Sequence, residues 1–112
     1  MKLTSETGTT ALTVHVMEDR IDAASAIQFK ERMRDLTQGS LPRVILDLSR
    51  VQFLDSSGLG AVVAVMKLLG PDRKLELAGL TQTVEKVFRL TRMDSIFTIH
   101  PGAGAGQMAI KA

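Results

Sequence analysis

The sequence has no cysteine, tryptophan or tyrosine, and its only aromatic residues are four phenylalanines. Without cysteine there is no disulfide framework, no cysteine zinc site and no thiol nucleophile. The scarcity of aromatics removes the stacking platforms on which single-stranded nucleic acids bind. The chain also lacks a run of lysine and arginine, since 14 basic residues face 12 acidic ones for a net charge of +2. Nucleic acid is therefore not an expected partner.

Long apolar segments are also missing. The longest apolar run, from Leu59 to Met66, contains a glycine and is far shorter than the roughly 20 residues that span a bilayer. Residues 1–6 lack the apolar core of a signal peptide. These features predict a cytoplasmic protein without a membrane partner. At 112 residues, with 45% hydrophobic and 23% charged residues, the chain has the size and composition of one globular domain.

The apolar pattern alternates between the periods of strands and of helices. Strands are predicted over residues 3–7, 10–17, 44–48, 74–78 and 96–99, and helices over 23–38, 57–69 and 82–91. Asp22 is the expected N-cap of the first helix and Thr81 that of the third. This order predicts a single α/β domain over residues 1–100. Residues 101–112, rich in glycine and alanine, are expected to form a flexible C-terminal tail.

The most unusual local feature is the string DSSGLG at residues 55–60, where a helix is predicted to begin. A helix start leaves about four backbone N–H groups without helical partners, and Asp55 or Ser56 is suited to cap them. Ser57 would lie in the first turn with its hydroxyl toward solvent. Two glycines there, Gly58 and Gly60, weaken a helix by roughly 1 kcal/mol each relative to alanine. Close approach of a partner to the hydroxyl would explain them, and the alternative is that they aid packing against the sheet.

Catalysis by Ser57 is not expected. The Gly-x-Ser-x-Gly elbow fails because Asp55 stands two residues before Ser57. A nucleophilic serine also needs a base, and the only histidines are His15, expected to face outward from a strand, and His100, expected to start the tail. The chain is therefore predicted not to be an enzyme.

Cofactor and metal sites are also weakly supported. The glycines of residues 102–106 do not have the spacing of a dinucleotide-binding loop, and no helix is predicted after them. Asp22, Asp47 and Asp55 all fall near strand ends or helix starts. One interpretation is a magnesium or phosphoacceptor site of the receiver-domain kind. The favoured interpretation is two caps and one hydrogen-bonded carboxylate at a strand end, because no lysine or acidic pair accompanies them. No cofactor and no metal are predicted.

Two segments carry a resemblance to a known family. VILDLS at residues 44–49 and VQFLDSSGLG at residues 51–60 resemble the hallmark of STAS domains, and in particular of the anti-sigma factor antagonists. Arg20–Ala23 resembles the family's loop before the first helix, and residues 75–80 and 84–91 resemble its later strand and helix. The resemblance covers about residues 10–99 and implies a mixed sheet of four or five strands with three or four helices. Asp19, where a glycine is common, and the turn at residues 70–73 depart from the family pattern.

The resemblance also implies a function. An antagonist of this family binds an anti-sigma factor that is an ATP-binding serine kinase. The kinase phosphorylates the second serine of the motif, here Ser57, the antagonist is released, and a PP2C-type phosphatase restores it. We expect the first two turns of the helix and the Asp22 loop to form the partner surface. Its expected residues are Asp22, Asp55, Ser56, Gly58, Leu59 and Gly60. The alternatives are a STAS subunit of a transport or signalling complex, or a STAS domain that binds a nucleotide or another small ligand.

Overall fold

The computed structural model describes residues 1–101, which form a five-stranded sheet, a two-stranded ladder and three helices. The elements in chain order are strands β1 (Leu3–Thr7), β2 (Ala11–Val16) and β3 (Arg20–Ile21), helix α1 (Ala26–Leu36), strands β4 (Arg43–Asp47) and β5 (Phe53–Leu54), helix α2 (Ser56–Leu69), strand β6 (Lys74–Ala78), helix α3 (Gln82–Leu90), a 3-10 turn (Met93–Ser95) and strand β7 (Thr98–Ile99). The α/β class and the mixed sheet predicted from the sequence are confirmed. The predicted tail lies at and beyond the end of the described residues.

The sheet topology places the starts of α1 and α2 on the same side of the sheet, at the carboxyl ends of the parallel strands. The strand order is β1-β2-β4-β6-β7, with β1 antiparallel to β2 and every other pair parallel. Because helices connect the parallel strands, the loops that lead into α1 and α2 leave from the carboxyl ends of β2 and β4. This is the edge at which open α/β sheets present their functional loops.

The short parallel ladder of β3 and β5 joins these two loops. Arg20 pairs with Phe53 and Ile21 pairs with Leu54. The backbone carbonyl of Asp19 extends the connection, because it accepts hydrogen bonds from the backbone nitrogens of Gln52 at 2.7 Å and Phe53 at 3.2 Å. The segments before α1 and α2 are therefore fixed to each other.

The core forms where all three helices pack on one face of the sheet. Alternate residues of β2 and β4, among them Val14 and Leu46, are buried there against Phe29 of α1, Val62 of α2 and Phe88 of α3. The opposite face of β4 carries one apolar residue between Arg43 and Asp47. Its Ile45 is fully buried and forms a small second cluster with Ala11 and Ala78. This explains the nearly continuous apolar pattern of residues 44–48, since a strand covered on both faces does not alternate.

The start of α1 corrects one prediction. The helix begins at Ala26 with Ser25 at the N-cap position, three residues later than expected. The Asp22 carboxylate instead accepts hydrogen bonds from the backbone nitrogens of Ala24 and Ser25 and from the Ser25 hydroxyl. Asp22 therefore holds a turn that precedes the helix, which is a common use of an aspartate side chain. Thr81 caps α3 as predicted, by accepting a hydrogen bond from the Val84 nitrogen.

A buried ion-pair network corrects a second prediction. His100 does not begin a free tail, because its Nε2 lies 2.7 Å from Oε1 of Glu76 and its backbone nitrogen donates to the Leu77 carbonyl. The Glu76 side chain is only 5% exposed and also accepts two hydrogen bonds from Arg43. The Arg43 guanidinium, opposed by burial and assisted by His100, lowers the pKa of Glu76 to about 2. Glu76 therefore fastens the last described strand to the centre of the sheet.

Over residues 1–101, none of the helices combines the length and the apolar character that crossing a bilayer requires.

Candidate functional site

Ser57 is the second residue of α2, and its side chain is exposed. Among residues 1–101 no group hydrogen-bonds to its hydroxyl oxygen. Ser56, the first residue of the helix, is exposed as well. The sheet edge therefore presents two neighbouring hydroxyl groups to solvent at the positive end of a helix dipole.

Asp55 holds this helix start in place. Its Oδ1 accepts a hydrogen bond from the Gly58 nitrogen at 2.9 Å, which makes it the N-cap of α2. Its Oδ2 accepts a second hydrogen bond from the Ala23 nitrogen at 3.2 Å. Of the two caps that the sequence allows, the structure uses Asp55, and Ser56 is left free. The same carboxylate joins α2 to the Asp22 loop.

Asp22 lies beside this cap and is paired with Arg20. The Nε of Arg20 lies 2.8 Å from Oδ2 of Asp22, and its guanidinium carbon lies 4.6 Å from the ring centre of Phe53. Desolvation opposes ionisation of Asp22, but hydrogen bonds from Arg20 and Ser25 outweigh it and lower the pKa of Asp22. Asp22 is therefore a carboxylate at neutral pH, and Arg20 is already engaged with both a carboxylate and an aromatic ring.

The two glycines of the motif have different roles. Gly58 is buried, and a Cβ atom there would lie 2.2 Å from the Ile21 carbonyl oxygen and 2.8 Å from Cδ1 of Leu54. At Gly58 the expectation of space for a partner is wrong and the alternative, packing, is confirmed, because the space is filled by β3 and β5. Gly60 is exposed, and a Cβ atom there would meet nothing within 4 Å. Leu59, between them, is half-buried against the core.

Asp47 does not join Asp22 and Asp55. Its Oδ2 lies 2.7 Å from Nδ1 of His15, and its Oδ1 accepts a hydrogen bond from the Ser49 nitrogen. This is the hydrogen-bonded carboxylate at a strand end that the sequence favoured. In the part of the chain that the structure describes, no three histidine, aspartate or glutamate side chains are placed to hold a metal ion.

His15 lies between two carboxylates, which sequence reasoning missed. Its Nε2 is 2.7 Å from Oε2 of Glu6, opposite the contact with Asp47. Burial opposes the charged ring, but hydrogen bonds to Glu6 and Asp47 outweigh it and raise the pKa of His15. The two residues meet because the turn closed by the backbone hydrogen bond from Gly8 to Ala11 makes Glu6 a diagonal cross-strand neighbour of His15, a register that the sequence alone did not specify.

Comparisons with known proteins agree on the fold. The profile of the STAS domain family matches residues 3–104. A curated relative, the anti-sigma-B factor antagonist of Staphylococcus aureus, is 24% identical over 83 residues, which cover 73% of this chain and 77% of that protein.

Two solved structures are similar over nearly the whole chain. An anti-sigma factor antagonist from Mycobacterium paratuberculosis has a TM-score of 0.80 and 24% identity, covering 99% of this chain and 96% of that one. The Bacillus cell fate determinant SpoIIAA in its phosphorylated form has a TM-score of 0.67 and 21% identity, covering 97% of this chain and 96% of that one. These likenesses establish the fold, and the profile establishes the membership: the chain belongs to the STAS domain family.

Proposed function

We propose that this chain is an anti-sigma factor antagonist that acts in the cytoplasm and is switched by phosphorylation of Ser57. It binds an anti-sigma factor of the serine-kinase type while Ser57 is free. It is released when that kinase transfers a phosphoryl group from ATP to Ser57, and a PP2C-type phosphatase restores it. The name of the Staphylococcus aureus relative supports the first part. The observation that carries the second part is the exposed, unbonded Ser57 hydroxyl at the start of α2.

The surroundings of Ser57 suit approach by a kinase. An acceptor hydroxyl has to enter the active site of another protein, and both Ser57 and its neighbour Ser56 are exposed. One turn further along the helix, Gly60 presents no side chain and has open space around it. A partner can therefore come close to the backbone of the first turn.

The start of α2 is also suited to hold a phosphate group on Ser57. Gly58 and Leu59 donate their backbone N–H groups to Asp55. The N–H groups of Ser56 and Ser57 have no acceptor among residues 1–101. A phosphate at a helix start meets such free donors and the positive end of the dipole. Phosphorylation should therefore change the surface without unfolding α2.

The added charge is sufficient to release a partner. A phosphate carries about −1.5 to −2 charges at neutral pH. It would join the carboxylates of Asp55 and Asp22, and Arg20 is already paired with Asp22. An acidic side chain of a bound partner about 4 Å from this phosphate would be repelled by roughly 4 kcal/mol before screening. Since about 1.4 kcal/mol is a factor of ten in affinity, a micromolar contact would become millimolar.

The proposed contact surface surrounds Ser57 and is supported by the exposure of Ser56 and Gly60. Asp22, Ser56, Leu59 and Gly60 face the partner. Asp55 contributes mainly by holding the Asp22 loop against α2. Gly58 contributes indirectly, because its lack of a side chain lets α2 pack against the Ile21 carbonyl.

A serine pair in the same turn provides a matched test. We expect the partner kinase and ATP to add one phosphate to the wild type and to Ser56→Ala, and none to Ser57→Ala, as measured by intact mass. Ser57→Asp should recover at least tenfold less kinase than the wild type in a pull-down. Phosphate incorporation into Ser57→Ala would exclude Ser57 as the acceptor. Equal recovery of the kinase by wild type and Ser57→Asp would exclude the switch.

A further inference from the structure

The groove between α1 and α2 lies toward their C-terminal ends and is separate from the Ser57 surface. It is open, with a volume of about 410 Å³, and is lined by Lys30 and Arg34 of α1 and by Ala64, Val65, Lys67 and Leu68 of α2. Leu68 follows Ser57 on the same helix at a distance of about 16 Å along the axis. The two surfaces are therefore far enough apart to be occupied at the same time.

The basic side chains that line this groove lie apart from the acidic side chains of α1 and are not paired with carboxylates. Lys30 and Arg34 stand four residues apart on α1, a spacing at which like charges disfavour the helix. Glu31 and Asp35 have the same spacing one position on, so α1 keeps its acidic and basic side chains in separate rows. In the described part of the chain, none of Lys30, Arg34 and Lys67 has a carboxylate oxygen within 4 Å.

Helix dipoles explain only part of this arrangement. Arg34 and Lys67 lie in the last turns of α1 and α2, where a cation is favourable. Lys30 lies in the middle of α1, so the dipole does not account for it. The dipole also does not account for Leu68, whose side chain is 46% exposed in the same groove. The result is an aliphatic patch surrounded by three unpaired cations.

We propose that this groove binds an acidic segment of a partner protein. An aliphatic side chain of the segment packs on Ala64 and Leu68, and flanking carboxylates pair with Lys30, Arg34 and Lys67. The charge pattern and the concave shape favour a peptide or helix over a membrane, because a single exposed leucine between two helices offers little apolar area to lipid. This inference does not depend on the proposed role of Ser57.

The probe is a fluorescein-labelled helical peptide with two leucines one turn apart, flanked by glutamates. Binding is measured by anisotropy, and the contact is mapped by backbone amide NMR shifts. We expect shifts at Ala64, Lys67 and Leu68, and no shift at Ser57. A peptide with serines in place of the leucines should bind at least tenfold more weakly.

Variants of the protein separate this site from general charge attraction. Arg34→Gln/Lys67→Gln should bind the peptide at least tenfold more weakly than the wild type. Lys2→Gln/Lys86→Gln removes the same charge from two other exposed positions and should bind within twofold of the wild type. Ser57→Asp should also bind within twofold, so the outcome is independent of the phosphorylation test.

Three results would overturn the proposal. The first is equal weakening in both double variants, which would mean non-specific attraction. The second is a set of NMR shifts confined to the first turns of α1 and α2. The third is the absence of peptide binding when vesicles of phosphatidylglycerol and phosphatidylcholine bind in a manner that requires Arg34 and Lys67, which would make this a lipid surface.

Discussion

The Asp55 carboxylate lies 3.2 Å from the backbone nitrogen of Ala23, a residue 32 positions earlier in the chain. The same side chain caps α2 through Gly58. One aspartate therefore sets the start of the helix and the position of the neighbouring loop, so that Ser57 and Asp22 are held in a fixed relation. A carboxylate that accepts two backbone hydrogen bonds has little freedom to move, so the start of α2 and the Asp22 loop are held rigidly together.

Replacing Asp55 should loosen both elements. Loss of an N-cap costs about 1 kcal/mol, and loss of the hydrogen bond to Ala23 adds roughly 1 kcal/mol. We expect Asp55→Ala to lower the free energy of unfolding in urea by about 2 kcal/mol. Ser56→Ala is the control and should change it by less than about 0.5 kcal/mol. Equal effects of the two substitutions would show that Asp55 does not have this role.

The two motif glycines should respond to alanine in opposite directions. At Gly58 the new Cβ would meet the Ile21 carbonyl oxygen at 2.2 Å, and overpacking costs up to about 3 kcal/mol against a gain in helix propensity of about 1 kcal/mol. Gly58→Ala should therefore lose roughly 2 kcal/mol.

Gly60→Ala is the matched control, because its Cβ would meet nothing within 4 Å. This variant should raise the free energy of unfolding by up to about 1 kcal/mol. Urea unfolding measures both variants. Stabilisation by both substitutions would contradict the packing described for Gly58.

Stability should fall as the pH rises through the pKa of His15. The protonated ring donates to both Glu6 and Asp47, whereas the neutral ring can donate to only one. Because the folded-state pKa is raised above 6.5, this contribution is complete below 6.5 and is lost as the pH passes the folded value. Chemical unfolding at a series of pH values tests this. In His15→Gln the decline over this window should be smaller, and an unchanged decline would assign it to another group.

Lowering the pH should also reduce the stability of the fold, through protonation of Glu76. Its pKa is lowered from 4.5 to about 2, so its contribution is present above 4.5 and is lost as the pH falls toward 2. Glu76→Gln removes the charge that Arg43 and His100 share. Breaking a buried pair costs roughly 3–5 kcal/mol, and since the Arg43 side chain is 32% exposed, we expect a loss of about 2 kcal/mol at neutral pH.

Glu85→Gln is the control for the loss of stability at low pH, because Glu85 belongs to an exposed pair with Arg89. Such surface pairs contribute about 0–1 kcal/mol. Thermal unfolding across the acid range compares the two variants with the wild type. A pH dependence that survives in Glu76→Gln would mean that other carboxylates dominate acid unfolding.

The elements that depend on local pattern were predictable from the sequence. Strand β6 has the bounds predicted from the sequence, and α3 begins after Thr81 as its capping chemistry predicted. The exposed position of Ser57 in the first turn followed from a cap at either Asp55 or Ser56. Local periodicity and capping decide these features, so a single sequence contains enough information.

What escaped prediction depends on contacts between distant residues. The two-residue ladder of β3 and β5 is too short to have a period, and it exists because the loops meet in space. The start of α1 was misplaced because Asp22 is equally suited to cap a helix or to hold a turn. The partners of Glu76 arise from strand pairing that no local window contains. At Gly58 the sequence left packing and partner access as alternatives, and the contact with Ile21 decides for packing.

The short ladder between Ile21 and Leu54 has a consequence for the speed of the proposed Ser57 phosphorylation switch. Because this ladder and the Asp55 bridge immobilise the motif before any modification, no slow refolding step would separate its two chemical forms. The response time of the pathway would then be set by enzymatic turnover and by dissociation of the complex.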